Sequence, residues 1–142
     1  MLSSRRAGFF VLIFAISFAV NAAMAANDED LQKRLIGTWL ETRFEARDKE
    51  VRESDNLITF GADGSLKLHL KKGEAKDNRS SLDGTWKVEG NGALKMEIVA
   101  DDKKEEQSMQ LSFEGEEMIL TDPDGRRTWH TRHEGPLPDR YQ

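Results

Sequence analysis

The sequence contains no cysteine among its 142 residues. A domain without cysteine has no disulfide bond, so its stability has to come from its core. The absence also excludes a thiol nucleophile, a thiolate metal site and the lipidated cysteine that anchors bacterial lipoproteins. The protein therefore has to fold without disulfide bonds and act without a thiol group.

Positive charge is also scarce, since 21 lysine and arginine residues face 26 aspartate and glutamate residues, for a net charge of −5. Contacts with a nucleic-acid backbone need clustered lysine and arginine. Anionic membrane surfaces likewise attract basic segments. We therefore expect neither nucleic acid nor an anionic membrane surface as a partner.

The first 25 residues have the pattern of a cleaved secretory signal peptide. Arg5 and Arg6 precede an almost uninterrupted apolar stretch over residues 9–20, and Ala23-Met24-Ala25 offers a cleavage site before Ala26. Twelve helical residues span only about 18 Å, less than the bilayer core of about 30 Å. We expect no stable membrane insertion after cleavage, and a periplasmic or secreted location in a bacterium.

Cleavage leaves 142 − 25 = 117 residues and changes the net charge from −5 to −7, because two arginines are removed. That length suits one domain with one core. We assign residues 26–134 to a β domain and residues 135–142 to a flexible C-terminal tail, because Gly135-Pro136-Leu137-Pro138 is typical of extended chain.

Alternating apolar and polar residues predict short antiparallel strands. Ile58 and Phe60 precede Gly61-Ala62-Asp63-Gly64, a turn sequence, and Leu66 and Leu68 then alternate with polar residues. Similar units follow over residues 86–98 and 109–121, and a closing strand over 126–132. About eight strands with frequent reversals predict an all-β, up-and-down antiparallel meander.

Two features at the start of the domain complete this prediction. Residues 27–37 have the capping and charge pattern of a short N-terminal helix that plugs one end of a barrel. In the first strand, Leu40 and Phe44 fall on one face, whereas Trp39 and Glu41 fall on the other. Either Trp39 lies before the sheet begins or a β-bulge switches the faces.

Three short motifs resemble the lipocalin-like families of small exported bacterial proteins. They are Gly37-Thr38-Trp39 after the helix, Ile58-Thr59-Phe60 followed by Asp63-Gly64, and Gly84-Thr85-Trp86. The resemblance implies an eight-stranded barrel or half-barrel. It also implies that Gly37 and Trp39 lie at its closed end, with an arginine of the last strand, Arg127 or Arg132, over the tryptophan. The Thr-Asp-Tyr motif of lipocalins is absent.

The predicted inward residues suggest a ligand site. A barrel of eight strands is either filled by its own side chains or leaves space for one small ligand. The candidate ligand-binding residues are large and apolar: Phe44, Phe60, Leu68, Trp86, Met96, Met109 and Trp129. We expect a non-enzymatic protein that binds a small apolar molecule. The alternative is a protein-interaction or enzyme-inhibitor module with a filled core, whose partner is another exported protein.

Catalytic and metal signatures are weak. There is no Gly-x-Ser-x-Gly elbow and no phosphate-binding glycine loop. His130 and His133 are three residues apart, so on a strand their rings point to opposite faces, and His69 falls on the predicted solvent face. We expect no catalytic residue, no metal and no cofactor, with a hydrolase as a third alternative.

Overall fold

The computed structural model describes residues 28–74 and 79–142, so the predicted signal peptide lies outside the described residues. Helix α1 covers residues 28–35 and agrees with the predicted N-terminal helix. The strands are β1 (Gly37–Glu45), β2 (Val51–Glu53), β3 (Leu57–Phe60), β4 (Ser65–His69), β5 (Ser81–Glu89), β6 (Ala93–Ala100), β7 (Lys103–Glu114), β8 (Glu117–Thr121) and β9 (Arg127–His133). In these two ranges no helix is long and apolar enough to cross a bilayer.

The strands form a closed antiparallel barrel. From β3 to β9 each strand pairs with the next in sequence, and β1 pairs with both β3 and β9. Strand β2 is the ninth and lies outside this circuit, because it pairs only with the last three residues of β1. The predicted up-and-down topology is confirmed, and the structure shows a barrel instead of a half-barrel.

The hairpin between β3 and β4 turns where the sequence predicted. Gly64 has a φ of +87°, a conformation that residues with a Cβ rarely adopt. The carboxylate of Asp63 accepts hydrogen bonds from the backbone N–H of Ser65 at 3.0 Å and from its hydroxyl at 2.6 Å. These contacts fix the turn and thereby align Phe60 with Leu66 across the hairpin.

A β-bulge in β1 resolves the mixed pattern of that strand. The register with β9 shifts between Glu41, which pairs with His130, and Arg43, which pairs with Trp129. One extra residue on β1 switches the faces at this point. Trp39 and Glu41 therefore face the barrel interior, whereas Arg43 lies outside and bonds to Glu117 at 3.1 Å. Of the two sequence-based alternatives, the bulge is correct.

Helix α1 closes one end of the barrel. Leu35 at the end of the helix and Trp39 are both buried, and the indole N–H of Trp39 donates to the carbonyl of Leu35 at 2.8 Å. The guanidinium of Arg132 lies over the Trp39 ring at 4.4 Å and donates to the carbonyls of Ile36 and Arg34 at 2.8 and 2.6 Å. Arg132 is therefore the arginine that the resemblance implied, and one cation–π contact of this kind contributes about 0.5–2 kcal/mol.

Gly37 is required beneath this arginine. Its φ is +131°, and a Cβ at this position would lie 2.5 Å from Nη1 of Arg132. A side chain would therefore strain the backbone and displace the guanidinium from Trp39.

The half of the barrel next to α1 is filled with side chains. The rings of Trp86 and Phe60 are nearly perpendicular, at 82°, with centroids 5.5 Å apart, and the indole N–H of Trp86 donates to the carbonyl of Gly61 at 2.9 Å. The other large residues of this half are Leu35, Trp39, Leu66, Leu94, Leu111 and Met118. This closed half is a conventional packed core.

The C-terminal residues lie against the barrel. Tyr141 is buried, and the backbone N–H of Lys72 donates to the carbonyl of Arg140 at 2.9 Å. The guanidinium of Arg140 also pairs with Asp55 at 3.2 Å. Residues of the predicted C-terminal tail therefore contact the barrel. The flexibility of residues 135–142 stays a prediction.

Replacing Trp86 by alanine tests the facing of β5. Trp86 is 7% exposed whereas Lys87 points to solvent, so Trp86→Ala is expected to lower the free energy of unfolding by roughly 3–5 kcal/mol. Lys87→Ala serves as the control and is expected to change it by less than about 0.5 kcal/mol. Urea unfolding followed by circular dichroism measures both values, and similar small losses in the two variants would contradict the assigned faces.

Candidate functional site

The half of the barrel away from α1 contains a cavity of about 290 Å³. It lies where β1, β6 and β8 end and β3, β5 and β9 begin. Its walls are mainly apolar and come from opposite sides of the barrel, with Ile58, Leu68, Leu82, Met96, Met109 and Leu120 among the lining residues. The cavity continues the apolar interior beyond the packed core, and we call it the open-half cavity.

A polar pair interrupts this apolar wall. Glu41 and His130 face each other across the β1–β9 ladder, with Oε1 of Glu41 3.7 Å from Nε2 of His130. Both side chains line the cavity, and His130 is only 4% exposed. Gln107 and Thr128 are further polar residues of the lining. The open-half cavity therefore combines a large apolar surface with several polar groups, and we call the Glu41–His130 pair its polar patch.

The two carboxylate oxygens of Glu41 have different surroundings. Oε2 accepts hydrogen bonds from the hydroxyl of Ser54 and from the side-chain amide of Asn56, the latter at 2.9 Å. Within the described part of the chain, Oε1 accepts no hydrogen bond, and Nε2 of His130 lies 3.7 Å from it. The loop between β2 and β3 therefore holds Oε2, whereas Oε1 stays available to a ligand of the cavity that Glu41 lines.

Burial determines the charge of His130. It lowers the pKa of the imidazole because a charged ring is poorly solvated inside the barrel, and the carboxylate of Glu41 and the backbone of Met118 act in the opposite direction. The ring is therefore neutral near pH 7. Among the described residues no group makes a hydrogen bond of good geometry to Nδ1 of His130.

The other histidines make no hydrogen bond or ion pair with this polar pair. His69 pairs with Leu57 on the β3–β4 ladder at the edge of the cavity lining, and its Nε2 lies 2.7 Å from the hydroxyl of Thr59. Burial, followed by the charge of Lys67, lowers its pKa. The ring of His133 contacts the carbonyl of Pro136 at 3.0 Å. His130 and His133 diverge as the strand geometry predicted, but the view of His130 as an ordinary strand-face residue missed its burial in the cavity wall.

The seven candidate ligand-binding residues do not form one surface. Leu68, Met96 and Met109 line the open-half cavity. Phe60 and Trp86 belong to the packed core of the closed half. Phe44 shares the inner face with its partner Thr128 near the end of β1, but it does not belong to the lining. The structure therefore brings together the smaller aliphatic and sulfur-containing candidates and leaves the aromatic ones elsewhere.

The prediction that Trp129 points inward is wrong. Its partner on β8 is Ile119, whose neighbours Met118 and Leu120 occupy the interior, so Trp129 lies on the outer face. The guanidinium groups of Arg43 and Arg127 lie 4.6 and 4.9 Å from its ring centroids. This double cation–π contact covers the indole and leaves it only 6% exposed. Arg127 thus covers Trp129, not Trp39.

Sequence reasoning also missed Glu41 and His130. The signal for Glu41 was its position two residues after Trp39, because residues two apart on a strand share a face and Trp39 faces the interior. The signal for His130 was weaker, since its facing depends on the register with β8. A polar residue between Trp129 and Thr131 has no local mark that distinguishes the interior from the exterior.

A second depression, of about 640 Å³, lies on the outer face over β5, β6 and β7. Side chains of both charge signs line it, among them Lys87, Lys95, Glu97 and Glu106. Most of its lining residues are polar or charged, whereas most of those around the open-half cavity are apolar, so the open-half cavity is the better candidate site. Across residues 28–74 and 79–142, no group of three potential ligands from histidine, aspartate and glutamate is placed to hold a metal ion.

The closed eight-stranded barrel, plugged by α1 and topped by Arg132 over Trp39, defines a lipocalin-like fold. No protein-family model matches the sequence, and no curated protein matches it. Among solved structures, a lipocalin-like protein from Bacteroides uniformis has a TM-score of 0.55 and 13% sequence identity, covering 70% of this chain and 99% of that one. An uncharacterised protein from Bacteroides eggerthii gives the same values. The resemblance to lipocalin-like proteins is thereby confirmed for the fold.

The buried histidine predicts how stability depends on pH. Because the pKa of His130 is lowered in the folded state, the unfolded chain binds the proton more readily below about pH 6.5. The free energy of unfolding is therefore expected to decrease as the pH falls from about 6.5 towards the lowered pKa that His130 has in the folded protein. His130→Gln is expected to reduce this slope, and His69 is expected to supply what remains of it.

Guanidinium unfolding between pH 8 and 5.5 measures the slope, with His133→Gln as the control. Equal slopes in the wild type and His130→Gln would contradict the buried position of the ring.

Proposed function

We propose that the protein is an exported, non-enzymatic binding protein that holds one small, mainly apolar molecule in the open-half cavity. The observation that carries this proposal is the cavity itself, an unfilled apolar space with a polar patch inside an otherwise well-packed barrel. Ligand sites in proteins typically have this composition. Export rests on the signal-peptide pattern of residues 1–25.

The size of the cavity limits the ligand. A volume of about 290 Å³ lies at the lower end of the range of about 300–1,000 Å³ for small-molecule sites. The closed half offers no extension, because Phe60, Trp86 and Leu94 fill it. We therefore expect a compact molecule and not a long acyl chain.

The alternative of an interaction module with a filled core has less support. Its premise is a filled interior, whereas only the half next to α1 is filled. Large exposed apolar side chains are also scattered over the described surface, at Ile36, Val51 and Val99. Isolated residues of this kind are usual on any protein surface.

Filling the cavity with a side chain tests the proposal. Leu82 lines the cavity on β5, whereas Lys87 on the same strand points to solvent. The neutral fluorescent probe N-phenyl-1-naphthylamine is expected to bind the wild type at one site. Leu82→Trp is expected to weaken this binding at least about tenfold, equivalent to about 1.4 kcal/mol, because the indole occupies the space of the probe.

Lys87→Trp is the matched control and is expected to leave probe affinity unchanged. Thermal unfolding of both variants establishes that they are folded. Absence of saturable binding to the wild type, or equal affinity of the wild type and a folded Leu82→Trp, would show that the cavity is not the binding site. The search would then move to protein partners.

A further inference from the structure

We propose that the ligand of the open-half cavity carries a protonated amine, which binds at Glu41 and His130 while the apolar part fills the remaining space. This inference rests on the proposed binding function and names the chemical class of the ligand. It follows from the charge of the lining, the available oxygen of Glu41 and the neighbouring ring of His130.

The charge of the lining has one sign. Glu41 and Glu74 are acidic members, and among the described lining residues there is no lysine or arginine. His69 and His130 are the only basic groups of this part of the lining, and burial favours their neutral forms. An anionic ligand would meet two carboxylates and no cation, whereas a cationic ligand would meet attraction only.

Glu41 offers a position for the cation. Its side chain is 16% exposed, and a carboxylate buried to this extent normally has a cationic partner because an isolated charge is poorly solvated. The described residues supply only the neutral donors Ser54 and Asn56, both at Oε2. A ligand ammonium at Oε1 would complete the pair with a charge-assisted hydrogen bond.

His130 adds a second acceptor at the same place. A neutral imidazole always has one nitrogen without a proton, which accepts a hydrogen bond. Nε2 of the ring lies 3.7 Å from Oε1 of Glu41, so with the proton on Nδ1 the free electron pair of Nε2 adjoins the carboxylate. An ammonium group has three donors, so carboxylate and imidazole together match it better than a single acceptor does.

The apolar lining determines the rest of the ligand. Leu68, Met96 and Met109 line the cavity together with the polar pair. Methionine side chains adapt to ligands of irregular shape. The site therefore suits an aliphatic or aromatic amine with one charged end.

Three probes with the same chain and different ends test the proposal: octylamine, octanol and octanoate. Isothermal titration calorimetry at pH 7.5 is expected to show that octylamine binds at least about tenfold more tightly than octanoate, with octanol between them. The comparison uses the wild-type protein alone, so it does not depend on the folding of any variant.

Glu41→Gln identifies the residue responsible, because glutamine keeps the shape of the side chain and removes its charge. In this variant the affinities for octylamine and octanol are expected to become equal within about twofold, while octanol binding is kept. Glu53→Gln, an exposed change on β2, is the control and is expected to keep the preference for the amine.

The outcomes separate the two proposals. Equal binding of all three probes, or tightest binding of octanoate, would overturn the amine assignment and leave the binding function in place. An amine preference that persists in Glu41→Gln would also overturn it. Failure of all three probes to bind would overturn both proposals.

Discussion

The rest of the structure depends on the pairing between β1 and β9 and on the bulge within it. This ladder closes the barrel, and its register shift lies between Glu41 and Arg43. Strict alternation from Trp39 would place Arg43 and Glu45 inside, where unpaired charges are costly. The bulge moves both outside, where Glu45 bonds to Arg127 at 2.5 Å, whereas Glu41 precedes the bulge and faces inward opposite His130. Pairing of β1 with β9 thus closes the barrel and brings Glu41 opposite His130, and the bulge removes two further charges from the interior.

The two halves of the barrel have different roles because their side chains differ. Next to α1, tryptophan and phenylalanine rings fill the interior, and the Trp39–Arg132 contact joins the first strand to the last. Beyond them the inward residues are aliphatic or polar, and they leave a cavity of about 290 Å³. A rigid, filled half is a suitable base for a preformed site, since binding then requires little ordering of the chain.

The predictability of each feature follows from the range of the interactions that determine it. Local signals specified the Gly61–Gly64 turn and α1, and the structure confirms them because turn and capping chemistry act over a few residues. The position of Trp39 at the closed end was implied by the lipocalin-like resemblance, because the local pattern of β1 left two alternatives open. The facing of Trp129 depends on its register with β8, and two arginines distant in sequence cover it. The Glu41–His130 pair depends on barrel closure, which brings the first strand against the last, so no window of sequence contains it.

The most direct test of this account is to locate a bound ligand through methionine methyl groups. Met96 and Met109 line the open-half cavity, whereas Met118 lies in the packed half. In protein labelled with ¹³C at the methionine methyls, saturation with octylamine is expected to shift the NMR signals of Met96 and Met109 and to give ligand-to-methyl NOEs there, with the signal of Met118 little changed. Shifts confined to Met118, or unchanged signals at saturation, would contradict a binding site in this cavity.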